Sequence, residues 1–150
     1  GYYALTHKSG DRVAIVLNGN SFSSRNAQRT IERIQLDYRT RHTVAKNVKG
    51  VIDHEEGHQL EFFVNGRNDS VLSSLYQQYE SKETEERGAD GILIRYTSKM
   101  ARSLSNYANK NEREFIAEGW SEYRNSSKPR PLAKLIGDRL QELYREATMR

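Results

Sequence analysis

The chain has 150 residues, no cysteine and a formal net charge of +4. That length suits one domain with one hydrophobic core, and the missing cysteines exclude disulfides and thiolate metal ligands and fit a reducing compartment. The mild charge is spread along the chain and does not by itself call for nucleic acid, and no apolar run approaches the roughly eighteen residues of a membrane-spanning helix. No stretch has the make-up of a signal peptide. A start at Gly1 rather than Met reads as an excised domain or a processed product.

In chain order, Tyr2-Tyr3-Ala4-Leu5 is an aromatic run suited to an edge strand, and Lys8-Ser9-Gly10-Asp11 has turn chemistry. Residues 12–17 are β-branched and apolar and predict a buried strand, ended by Asn18-Gly19-Asn20. Ser23 or Ser24 can cap a helix running to about Tyr38, with Ala27, Ile31, Ile34 and Tyr38 inward. Arg39, Arg41 and His42 read as a solvated basic linker. A second helix is predicted from a Thr43 cap, with Val44, Val48, Val51 and Ile52 as an apolar stripe that resumes at Phe62. Residues 65–69 end it. Val71, Leu72, Leu75, Tyr76 and Tyr79 then mark an amphipathic helix. The charged residues 80–90 read as an exposed loop or a frayed helix end. Residues 91–96 fit a strand and the start of a helix equally well. Phe115, Ile116, Trp120 and Tyr123 form the stripe of a further helix. Pro131 is placed to open a last helix that buries Leu132, Leu135, Ile136, Leu140, Leu143 and Tyr144. There is no internal repeat and no second core. The expected fold class is α+β, a small sheet with several helices.

The second helix carries the chemistry. His54-Glu55-Glu56-Gly57-His58 is an H-E-x-x-H motif, which random placement of these residues gives in roughly one such chain in a hundred. On a helix, two histidines four residues apart lie one turn apart on nearly the same face, so both imidazoles can bind one Zn²⁺. Glu55 faces a neighbouring part of that surface, where a carboxylate can act as general base towards water. Gly57, between the histidines, leaves room for another element to approach. A hydrolytic zinc site needs a third protein ligand, and a carboxylate is the natural choice. Glu114 and Glu118 share one face of the later helix, beside small Ala117 and Ser121. One could bind the metal while the other accepts the free N–H of a ligand histidine. Glu112 competes for the role, but it lies about 200° around a helix from Glu114, so both cannot face the metal. Asn111 with Glu114 also reads as a helix cap with its capping-box partner, which would leave Glu118 and Glu122 as solvated surface charges.

The motif, followed by Asn111-Glu112-Arg113-Glu114-Phe115-Ile116-Ala117-Glu118, resembles the zincin metallopeptidases of the gluzincin type. Within them it is most similar to the catalytic domain of anthrax lethal factor and its relatives. Those relatives include peptidase-like domains of phage head-morphogenesis (minor capsid) proteins, which the region around Pro129-Arg130-Pro131 also resembles. The likeness covers residues 44–62 and 103–123. It implies a zincin-like fold, His54, His58 and Glu114 as zinc ligands, and Glu55 as general base. It further implies Glu118 as the carboxylate behind a ligand histidine and Tyr107 as the phenol that stabilises the oxyanion. Two positions depart from the pattern: Gly119 stands where relatives usually carry Ala, and Glu56 replaces a common aromatic.

The function expected from this is a zinc-dependent metalloendopeptidase acting on a protein or peptide. The alternatives are a zincin-like structural domain of a phage head protein with little activity, and a toxin peptidase acting on a host protein. A larger phage or toxin polypeptide is the expected context, with the cytoplasm or virion favoured over secretion. No motif supports nucleic-acid recognition, and no membrane partner is expected.

Overall fold

The computed structural model describes residues 3–9 and 12–149. Its first element is an antiparallel hairpin of β1 (Ala4–Ser9) and β2 (Arg12–Leu17), in register from Ala4↔Leu17 to Ser9↔Arg12. Tyr2 and the turn expected at Gly10-Asp11 lie outside the described residues, while Lys8 and Ser9 belong to β1 rather than to the turn. The expectation of a buried strand over 12–17 is corrected: Val16 and Leu17 are 40% and 45% exposed. A two-stranded ribbon packed on one helix has little to cover its other face.

Helix α1 (Ala27–Arg39) starts later than the serines suggested, after Asn26, and only Thr30 and Ile34 are buried on it. Ile31 and Tyr38, expected inward, are exposed. The motif helix α2 (Val48–Val64) begins not at Thr43 but after Asn47, whose side chain accepts the Gly50 N–H. The apolar stripe predicted for it is also corrected. Its buried positions are Gly50, Asp53, Glu55, Gly57 and Glu61, whereas Phe62 is exposed. Asn65 closes α2 in the left-handed conformation at φ 56°, and a short 3-10 turn follows at Gly66–Asn68. Asp69 caps α3 (Ser70–Tyr79) through the Leu72 N–H. On α3, Leu72 is buried but Val71 is not. Residues 80–90 are not all loop, because β3 (Glu85–Arg87) pairs antiparallel with β4 (Leu93–Tyr96). That pairing settles the 91–96 ambiguity as a strand.

After the short α4 (Lys99–Ser103) and a 3-10 turn at Tyr107–Asn109 comes α5 (Glu112–Asn125), then α6 (Pro131–Thr148), with Pro131 in its first turn. Among the described residues the class is α+β: six α-helices and two separate two-stranded sheets rather than one small sheet. Among the described residues no helix is long and apolar enough to cross a membrane.

The core sits around α5, where every residue from 115 to 121 is buried. Phe115, Ile116 and Trp120 meet Val44, Leu72, Met100 and Leu104, together with Leu132, Ile136 and Leu140 of α6. Leu135 and Tyr144 of α6 face outward instead, 51% and 48% exposed. Two glycines set the helix spacing. A Cβ on Gly57 would lie 2.9 Å from the Ala117 Cα, so α2 and α5 touch at backbone distance. A Cβ on Gly119 would lie 2.5 Å from Ile136 Cδ1. The branched Ile136 of α6 takes the space an alanine methyl would need there.

Candidate metal centre

The close seam between α2 and α5 brings the motif residues together. Gly57 removes the side chain that would hold the helices apart, so His54 and His58 reach Glu114 in the first turn of α5. His54 Nε2 lies 3.0 Å from Glu114 Oε2, and His58 Nε2 lies 3.2 Å from Glu114 Oε1. The two imidazoles stand edge to face at 4.8 Å between ring centroids. One ligand atom from each of His54, His58 and Glu114 lies within 4.8 Å of the others.

Glu118 takes the other side of His54. Its Oε2 is 2.9 Å from His54 Nδ1, and its Oε1 accepts the Val44 N–H at 3.2 Å and the Ser105 hydroxyl at 2.7 Å. The carboxylate is almost wholly buried, so these donors replace the water it has lost. With Nδ1–H held by Glu118, it is Nε2 that faces Glu114, and loss of the Nε2 proton leaves the tautomer a metal ligand requires. Glu118 is therefore not a solvated charge, and neither is Glu122, which pairs with Arg130. Glu112 points elsewhere, accepting from the Ser73 hydroxyl at 3.1 Å. Asn111 does cap α5 through the Glu114 N–H at 2.9 Å, and the Glu114 carboxylate is still turned to the histidines. Capping and ligation use different atoms of one residue and do not exclude each other.

Glu55 is buried, with the Thr6 hydroxyl 2.9 Å from both its Oε2 and its backbone carbonyl. Tyr107 stands with its ring 5.9 Å from that of His54. The segment after α1 fixes it there: the Arg41 and His42 carbonyls accept the Asn106 and Tyr107 N–H groups, each at 2.9 Å. The supposed solvated linker is thus a support of the site, and the His42 ring packs against Tyr96 and Tyr107. Thr6, Val44 and Ser105 are further supporting residues that sequence reasoning missed. No local pattern marks them, since their partners lie 49, 74 and 13 residues away.

The electrostatics follow from three carboxylates around two imidazoles. Burial disfavours the charged form of His54, but the adjacent Glu114 and Glu118 carboxylates outweigh it and push the pKa up to about 10. Burial likewise raises Glu114, and the two imidazoles overcome it to hold the carboxyl well below the usual range. Tyr107 is pushed up to about 12, first by burial and then by the charges of Glu114, Glu118 and Glu55.

The residues fit a divalent metal. Two imidazoles and one carboxylate are the donor set of an open zinc site. The Glu114 Oε2 atom is buried with no donor aligned to it, despite the nearby His54 ring. A buried acceptor left in that state is uncommon, and a bound cation would satisfy it. Compared with known proteins, the chain matches no protein family, no curated sequence and no solved structure.

Proposed function

We propose that this chain is a zinc-dependent metallopeptidase with a zincin-like fold. The observation that carries the reading is the convergence of His54, His58 and Glu114 across the α2–α5 seam, with Glu55 on the adjoining face. His54, His58 and Glu114 would hold the zinc. When bound, zinc supplies a Lewis acid that makes water more acidic and polarises a carbonyl. Glu55 carries the proton: its carboxylate takes one from water as the water oxygen bonds to the peptide carbonyl carbon. It then returns that proton to the nitrogen as the C–N bond breaks. Tyr107, whose raised pKa keeps it protonated at neutral pH, donates a hydrogen bond to the carbonyl oxygen as charge builds there. Glu118 holds the His54 ring in place through Nδ1, and Val44 and Ser105 hold Glu118.

A second reading, a zincin-like structural domain with little activity, is favoured by one observation: Glu55 is buried and engaged by Thr6. One experiment separates the two. Metal analysis and a peptide-library digest are run on the wild type and on Glu55→Gln. The peptidase reading expects about one zinc in both, and cleavage lower by about 10²–10⁴-fold in Glu55→Gln. Zinc without cleavage in the wild type would favour the structural domain. Failure to take up zinc would end both metal readings.

A further inference from the structure

On the far side of the segment that supports Tyr107, a recess of about 380 Å³ opens between the end of α1, residues 41–46 and the end of α5. Its rim carries Arg39, Arg41, Lys46 and Lys128. None of the four makes an ion pair with a described residue, although Lys46 lies 5.3 Å over the Tyr38 ring. Its acid is already spent: Glu122 is paired with Arg130, whose guanidinium also donates to the Leu104 and Arg102 carbonyls. The recess is therefore a concave surface with four uncompensated positive charges.

Arg41 also closes α1. Its backbone sits at φ 64°, and the Arg41 and His42 N–H groups donate to the Tyr38 and Asp37 carbonyls, the left-handed close of a helix end. Its side chain lines the recess, while its carbonyl accepts the Asn106 N–H.

We propose that this recess binds acidic side chains of a peptide. Carboxylates complement the two guanidinium forks and two ammonium groups. Nucleic acid fits less well, because a strand needs a charged track along several phosphates and these cations surround one small recess. The source of the carboxylates rests on the peptidase reading. Glu122 is eight residues beyond Glu114 on α5, about 12 Å along the axis, so an extended peptide reaches from one site to the other in about four residues. Acidic side chains of a peptide held at the metal centre would settle in the recess.

The test measures binding, on the Glu55→Gln chain so that the peptide survives. A fluorescent peptide with a run of Asp and Glu is compared with its Asn and Gln counterpart at low salt, with zinc and with a chelator. The acidic peptide should bind about tenfold tighter or more, as expected of a few partly exposed charge pairs. The preference should fade with added salt. It should collapse in Arg41→Gly and weaken in Lys46→Gln and Lys128→Gln. Arg41→Gly should melt at the same temperature or higher, because glycine relieves the positive φ, so loss of binding there cannot be put down to misfolding. Equal affinity for the two peptides, or a preference that survives these substitutions, would overturn the proposal. So would a single-stranded oligonucleotide of equal charge that binds tighter with the same dependence on Arg41. Lack of zinc, or cleavage undiminished by Glu55→Gln, would instead end the peptidase reading and leave the peptide comparison standing.

Discussion

The two helices of the site are both buried, but by different means. Helix α5 buries a full apolar face, Phe115, Ile116 and Trp120, and is surrounded by the core. Helix α2 buries glycines and carboxylates: Gly50, Asp53, Glu55, Gly57 and Glu61. Dispersion and hydrophobic burial hold the first, while close backbone approach and satisfied polar bonds hold the second. The candidate metal centre lies where they meet, so it is anchored by α5 and given its polarity by α2.

Removing the shared carboxylate should break the pairing most. Glu114→Ala deletes the group that meets both imidazoles, and zinc affinity should fall further than in any other single carboxylate variant. Glu118→Ala should lower it by roughly 10–100-fold, because His54 keeps its Nε2 but loses its orientation. Glu112→Ala should leave it nearly unchanged, since that carboxylate faces Ser73. Competition with a chelator puts all three on one scale. Zinc loss in Glu112→Ala with retention in Glu114→Ala would reverse the assignment.

Next comes the seam itself. Gly57→Ala sets a methyl against the Ala117 backbone and should cost about 1–3 kcal/mol in stability while also weakening zinc binding. Gly119→Ala meets Ile136 on the opposite side of α5. It should destabilise by a similar amount, about 1–3 kcal/mol, yet leave zinc affinity in the surviving folded protein unchanged. Denaturant melts together with chelator titrations compare the two. Equal zinc loss in both variants would mean that the seam has no special role.

The smallest effect is a proton count. Glu114 and Glu118, against the effect of burial, hold His54 protonated up to a pKa of about 10, so at pH 7 zinc must displace that proton. The sign follows: apparent affinity rises with pH, and about one proton is released per zinc. Calorimetry in buffers of different ionisation enthalpy reads the release directly. It should shrink in Glu118→Gln, which removes one of the charges holding the proton.

How much of this was legible in the sequence depended on whether the cause was local. The H-E-x-x-H spacing, the α5 stripe, the Asn111 cap and Pro131 at the head of α6 are local, and each is found where it was expected. The start of α2 was misread because Val44 looks like a helix stripe residue, while its N–H is bound 74 residues away to Glu118. The 39–42 segment looked solvated because charge was all it displayed. Its carbonyls are bound to Tyr96, Asn106 and Tyr107, partners that spacing cannot reveal. The apolar stripe on α2 failed for a related reason: valines and a phenylalanine suggested a greasy face, but the close approach at Gly57 selected the face with no bulk. The outward Leu135 and Tyr144 of α6 fit a heptad count equally well, and only the position of α5 decides which way that helix turns.

The placement of Glu114 in the first turn of α5 has one more effect. The peptide dipoles of a helix add to about half a positive charge at that end. The carboxylate therefore stays ionised under the influence of the whole helix as well as the two imidazoles. Set at the other end of the same helix, it would meet the negative pole, which opposes its ionisation. The direction in which α5 runs past α2 is thus part of what makes Glu114 an anion.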